Sequence, residues 1–356
     1  MTATDQQRGS STEPFASRGF ASDNCSGVHP EVMAALVAVN VGHQPSYGWD
    51  DSTEQLQETF RAHFGDTAQA FPVFNGTGAN VVALQAITQR WGSVICSSTA
   101  HVFYDECGAP EKVGGLKLLG VAAWHGKLTP ELIDREAYGF HDEHRARPQA
   151  VSITQTTELG TAYTVDEIAA ITDHAHSLGM HVHMDGARIS NAAASLGVPL
   201  GAFTTDVGVD VISFGGTKNG LMFGECVVVL NPDAAPGMLY VRKSNMQLGS
   251  KLRFVSAQFE ALLGGDLYLR NARHANAMAT RLAVALGDVQ GVRLLHPVEA
   301  NAVFALLPGD VAEQLRHSFA FSTWNERTGE VRLMTSFDTA ESDVDALAAE
   351  VRRLVG

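Results

Sequence analysis

Short apolar runs alternate along the first two thirds of the chain with stretches of helical period. Residues 71–74, 93–97, 116–122 and 150–153 read as strands, as do 181–184, 211–214 and 225–230. Between them the pattern predicts helices at 52–64, 81–89, 129–139 and 164–178. The last of these carries Asp166 and Glu167 in its first turn and is stopped by Gly179. Regular alternation of strand and helix predicts an α/β fold with a mostly parallel sheet, whose ligands sit at the carboxyl ends of the strands. Beyond 230 the rhythm changes. One long helical stretch is expected at about 251–286, then strands at 292–296 and 303–307, a helix near 311–316, a strand at 331–337 and a last helix at 342–354.

Composition narrows the function. With 356 residues, 45% of them hydrophobic and 18% charged, the chain is an ordinary globular protein long enough for two domains. Its 25 Lys and Arg against 39 Asp and Glu leave a net charge of −14, which argues against nucleic acid and against anionic membranes as partners. An anionic ligand must therefore meet locally placed cations or backbone amides. Four cysteines without CxxC spacing read as reduced thiols, and no secretory or membrane-length apolar run is present, so a soluble cytoplasmic protein is expected.

The chemistry-bearing residues fall just after expected strands. Gly76-Thr77-Gly78 opens a helix, where free amides favour phosphate; it matches neither the dinucleotide fingerprint nor a Walker loop, and a structural turn is the other reading. His101 follows the strand at 93–97, and a flat titratable ring there can stack and shuttle protons, or simply pack. Asp185, then Arg188, end the strand that begins at His181. The alternation His181, His183, Asp185 also has the spacing of a metal site, but no fourth ligand is apparent nearby and no metal is assigned. Lys218, in Gly215-Gly216-Thr217-Lys218-Asn219-Gly220, is a lysine delivered to the end of a core strand. That place implies a lowered pKa and covalent chemistry. Arg332 lies in an apolar strand, which suits an arginine with an anion to hold or one facing water at an edge.

The segments His183-Met184-Asp185-Gly186-Ala187-Arg188 and Ser213-Phe214-Gly215-Gly216-Thr217-Lys218-Asn219-Gly220 resemble fold-type I pyridoxal phosphate (PLP) enzymes. More narrowly they resemble the L-threonine aldolase branch of the aromatic-amino-acid/β-eliminating lyase family, over nearly the whole chain from about Phe20. The resemblance implies a flexible tail at 1–19, a large PLP-binding α/β domain at 20–255 and a small α+β C-terminal domain at 256–356. It implies that Lys218 holds PLP as a Schiff base, that Gly76, Thr77, Gly78 and Thr217 bind its phosphate, that His101 lies over its ring and that Asp185 faces its ring nitrogen. Ser22, Arg188 and Arg332 would grip the substrate carboxylate, and His101 or His144 would serve as base; counting back from the strand at 150, His144 falls where the family often has a second histidine. The implied reaction is cleavage of L-threonine, L-allo-threonine or a related β-hydroxy-α-amino acid such as phenylserine to glycine and an aldehyde, in a homodimer or homotetramer. A PLP-dependent β-eliminating lyase and a non-catalytic PLP-binding protein are the alternatives. Thr217 before the lysine, where many relatives have serine, and Gly78-Ala79, where Met-Gly is commoner, mark a sub-branch.

Overall fold

The computed structural model describes residues 19–356, so the expected tail lies, but for Gly19, outside the described residues. Seven strands, β1 (Gln69–Val73), β2 (Gly92–Ser97), β3 (Lys117–Val121), β4 (Arg147–Thr154), β5 (His181–Gly186), β6 (Val211–Gly215) and β7 (Glu225–Val229), form one sheet in the order β1-β7-β6-β5-β4-β2-β3. β7 runs antiparallel to both its neighbours, and the other pairings are parallel. A parallel sheet is buried on both faces, which is why its strands read as continuous apolar runs. Val94 and Val211 point into one apolar cluster while Ile95 and Ile212, one residue on, point into the other.

The second sheet is antiparallel: β8 (Arg293–Leu294), β9 (Ala302–Leu306), β10 (Ser322–Asn325) and β11 (Glu330–Met334), in the order β10-β11-β9-β8. Its core joins Val303 and Leu333 to Leu282 and Leu286 of the helix Leu267–Gly287 and to Leu347 of the helix Glu341–Val355. Phe20 belongs to this cluster and bridges to Phe321, so the first described residues are part of the smaller unit.

Several expected elements are revised. The single helix at 251–286 is two, Arg253–Leu263 and Leu267–Gly287, parted at Gly264 and Gly265. A Cβ at Gly264 would come within 2.6 Å of the Glu260 carbonyl. Leu262, Leu263, Leu267 and Tyr268 lie in the large sheet's core, past the expected end of that unit at 255. The helix expected at 129–139 shortens to Pro130–Ile133, and β10 carried too few apolar residues to be read as a strand.

Candidate active site

The chain leaves β1 and enters the helix Gly76–Ile87, which begins at Gly76 rather than at Val81 and so takes all three expected phosphate-loop residues into its first turn. Asn75 caps it by accepting from the Gly78 amide (2.7 Å), and the Gly76 and Thr77 amides have no intrahelical acceptor. Gly78 leaves room for Gln247: a Cβ there would lie 2.4 Å from the end of the Gln247 side chain, whose Oε1 accepts from the Phe74 amide (3.0 Å), so a larger residue would displace that side chain. Thr217 closes the turn after β6, its hydroxyl accepting from the Gly224 amide (3.1 Å).

Lys218 follows directly and is half-buried. Burial depresses its pKa, and the Arg188 charge lowers it further. Among the described residues its ammonium has no hydrogen-bond or ion-pair partner. Asp185, 3% exposed at the end of β5, accepts from the Ala187 amide and from Asn80 Nδ2, both at 3.0 Å. Asn80 Nδ2 donates also to Glu106 Oε1 (2.8 Å), which in turn receives His101 Nδ1 (2.9 Å). A chain of contacts thus runs Asp185–Asn80–Glu106–His101. Burial would lower the His101 pKa, but the bond to Glu106 and the charge of Asp185 override it and hold the pKa above its ordinary value. Glu158 accepts from the His101 amide (2.7 Å); burial, reinforced by Asp185, pushes its carboxyl up to about 7.

Arg188 donates through Nε (2.7 Å) and Nη2 (2.9 Å) to the two oxygens of Asp23, which Asn301 Nδ2 also reaches (3.0 Å). Its Nη1 has no partner among the described residues. Arg332, on β11, donates to the Ala21 carbonyl at 3.4 Å and lies 5.3 Å from the Trp324 ring, while its Nε is buried without a partner. Burial, with the neighbouring charge of Arg188, lowers its pKa to about 10. Ser22 sits in the same segment as Asp23, and its hydroxyl caps the turn Asp23–Cys25 by accepting from the Asn24 amide (3.2 Å).

His144 stands apart from the other candidate residues: it is exposed on the loop that precedes β4, at the amino-terminal edge of the sheet, whereas Asp185 lies at the carboxyl end of its strand and His101 and Lys218 follow theirs. A different histidine occupies that carboxyl edge. His125 follows β3, and its carbonyl accepts from the hydroxyls of Thr157 (3.1 Å) and Thr161 (2.8 Å). A Cβ on the next residue, Gly126, would touch Thr157 and Thr99, which flank Glu158 and His101 in the sequence. His183 is fully buried, with its ring nitrogens bonded to the hydroxyls of Ser152 and Ser213, both at 2.9 Å. Asp23, Asn80, Glu106 and Glu158, which contact the expected site residues, are ones that sequence reasoning missed.

Residues 19–308 match the beta-eliminating lyase family. The chain belongs to that family. A low specificity L-threonine aldolase of Pseudomonas aeruginosa is 45% identical over 339 residues, 95% of this chain and 98% of that protein. Another low specificity L-threonine aldolase, from a Pseudomonas species, is 44% identical over 95% of this chain and 98% of its own. The solved structure of a Leishmania major threonine aldolase superposes with a TM-score of 0.89 at 28% identity, covering 95% of this chain and 99% of that one.

Like other members of the beta-eliminating lyase family, the protein is a PLP-dependent lyase of the fold-type I architecture. Its residues fit the cofactor on their own terms. Asp185 presents a buried, braced carboxylate, Lys218 an ammonium without a partner among the described residues, and the helix at Gly76 a first turn whose Gly76 and Thr77 amides lack intrahelical acceptors. Lys218, Asp185 and the Gly76 and Thr77 amides would hold the group.

Proposed function

We propose that the protein cleaves the Cα–Cβ bond of β-hydroxy-α-amino acids, L-threonine and L-allo-threonine first and phenylserine within range, to give glycine and an aldehyde. The observation that carries this reading is the pair of guanidiniums with unengaged donors, Arg188 Nη1 and Arg332 Nε, in charge contact with each other and next to a partly desolvated Lys218. Two such cations suit an amino-acid carboxylate. The likeness to low specificity L-threonine aldolases over the full length supports the same substrate class.

When bound, PLP supplies a carbonyl for the amino group and a ring that withdraws the electron pair left by C–C cleavage. The chain's own residues do the rest. Lys218, eased toward its neutral form by burial, offers a nucleophilic amine and later a proton donor at Cα. Arg188 and Arg332 fix the carboxylate, with Ser22 beside them, and thereby set which Cα bond stands ready to break. Asp185 supplies the negative charge that keeps a proton on the ring nitrogen. His101, whose raised pKa favours its protonated form, suits the ring face better than the task of taking a proton. The β-hydroxyl proton is then assigned to His125, in the place expected of His144.

A homodimer or homotetramer is part of the proposal. A cavity of about 560 Å³ lined by Met33, Leu36, Val37, Phe74, Met222 and Phe223 leaves apolar surface uncovered beside the phosphate-binding turn, which supports a partner copy there. Cytoplasmic residence is proposed on the unpaired cysteines; among the described residues no helix is long and apolar enough to cross a membrane. The test is product analysis of the PLP-loaded protein with L-threonine and with phenylserine. Acetaldehyde or benzaldehyde together with glycine is expected. A 2-oxo acid with ammonia would assign β-elimination instead, and no product from either substrate would overturn the reading.

A further inference from the structure

We propose that His296 and Glu330, both from the smaller unit, position His125 by fixing its tautomer, so that Nε2 is left unprotonated as the proton acceptor. This rests on the cleavage reaction proposed above. The three side chains come from separate elements: the turn after β3, the bend after β8, and β11. His125 Nδ1 and His296 Nδ1 are 3.2 Å apart, with the rings at 82° and their centroids 5.4 Å apart. His296 Nε2 lies 3.6 Å from Glu330 Oε1, a buried oxygen with no hydrogen-bond partner of its own.

Proton arithmetic follows from these contacts. Two imidazole nitrogens in contact need one N–H and one lone pair. The Glu330 carboxylate, turned to His296 Nε2, favours the proton on that nitrogen. His296 Nδ1 is then the lone pair, His125 Nδ1 must be the donor, and His125 Nε2 carries no proton. The order is that of a carboxylate and an imidazole setting the tautomer of a catalytic base, with a second imidazole interposed.

The surroundings hold the parts in place. His125 has φ +53, a left-handed conformation unusual for a non-glycine residue, and its carbonyl is pinned by two threonine hydroxyls. The His296 ring stands edge-on to Phe304 (83°, 5.3 Å), and Phe304 likewise meets Trp324 (79°, 5.3 Å), the ring beneath Arg332. Glu330 and Arg332 are two residues apart on β11 and share a face. The strand that offers the carboxylate-binding arginine thus also backs the base. Glu330 and His125 are the titratable groups that face His296, and the Arg332 charge is the next along that face. In the step itself the substrate O–H bond breaks and an N–H bond forms at His125 Nε2. The positive charge gained is shared through Nδ1–H with His296 and faced by Glu330; no other reactant is needed.

Two substitutions at His296 separate this role from simple packing. His296→Gln keeps an acceptor for His125 and a donor for Glu330, whereas His296→Phe keeps the ring contact with Phe304 and loses both. In the PLP-loaded enzyme, His296→Phe is expected to lose roughly tenfold or more in kcat on L-threonine with KM little changed, and His296→Gln to retain most of it. Glu330→Gln should move the acid limb of the kcat profile to lower pH, because a charge that favours imidazolium is gone. Nitrogen-15 NMR of histidine-labelled holoenzyme reads the tautomers without turnover. An Nδ1–H form of His125 with an Nε2–H form of His296 is expected. The reverse tautomers, or a phenylalanine variant as active as the glutamine one, would overturn the proposal. A wild-type enzyme that shows these tautomers yet cleaves no β-hydroxy amino acid would sink the reaction proposed above and leave the geometry of the pair standing.

Discussion

Replacing Asp23 by Asn tests whether the site is held together by one buried ion pair. Asp23 is 1% exposed and takes both donors of Arg188, at 2.7 and 2.9 Å. Burial alone would raise its pKa, but the Arg188 guanidinium overrides burial and holds the carboxyl down from 3.8 to about 2. At about 1.36 kcal/mol per pH unit, that depression stabilises the folded protein by roughly 2–3 kcal/mol. Removing one partner of a buried pair costs about 3–5 kcal/mol; asparagine retains one acceptor, so a loss near 2–3 kcal/mol is expected at pH 7. The sign of the pH dependence is fixed. A carboxyl with a depressed folded pKa contributes fully above its unfolded pKa of 3.8, and the contribution is lost as pH falls through about 2. Urea unfolding of wild type and Asp23→Asn across pH 7 to 2 should therefore show a gap that is wide at neutral pH and closes below about pH 4. A variant within about 0.5 kcal/mol of wild type at pH 7, or a gap that does not narrow in acid, would refute the reasoning.

Glu106→Gln removes the charge bonded to His101 Nδ1, so the raised His101 pKa should fall toward its ordinary value and kcat should drop about tenfold, from the roughly 1.5 kcal/mol of a charged hydrogen bond; a histidine titration by NMR with no acid-ward shift would refute it. His144→Ala, a change on an exposed loop at the far edge of the sheet, should leave kcat/KM within about twofold and stability within about 0.5 kcal/mol. A hundredfold loss there would restore His144 to the site.

Residues whose role depends on strand order were legible in the sequence; those whose role depends on tertiary contact were not. Asp185 ends, and His101 and Lys218 follow, a strand buried on both faces, and a continuous apolar run ending in a polar residue is visible without coordinates. Asp23 and Arg188 stand far apart in sequence, and nothing local announces that they pair. Asn80 and Glu106 are polar residues on or beside short helices, and only folding brings one amide between two carboxylates. The second histidine has two candidates in the sequence. Counting back from β4 leads to His144, and counting forward from β3 leads to His125, the base proposed above. β2 ends at Ser97 and His101 stands four residues later; β3 ends at Val121 and His125 stands four residues later. The two histidines thus stand at the same distance from the ends of neighbouring strands.

The electrostatics explain why these arginines are so placed. In a chain of net charge −14 the overall field repels an anionic substrate, so attraction has to be built locally. Arg188 and Arg332, the proposed carboxylate grip, would supply it at a cost, since burial and the charge of Arg188 bring the Arg332 pKa down to about 10. Asp23 relieves Arg188 on one side only, through Nε and Nη2, and Arg332 is offered little more than the Ala21 carbonyl and the face of Trp324. Two guanidiniums that repel one another across a short gap are relieved by a carboxylate between them, and far less by a neutral group. On the proposed reading, a preference for an amino acid over an amine or an alcohol would follow from repulsion between the arginines as much as from their attraction for the ligand.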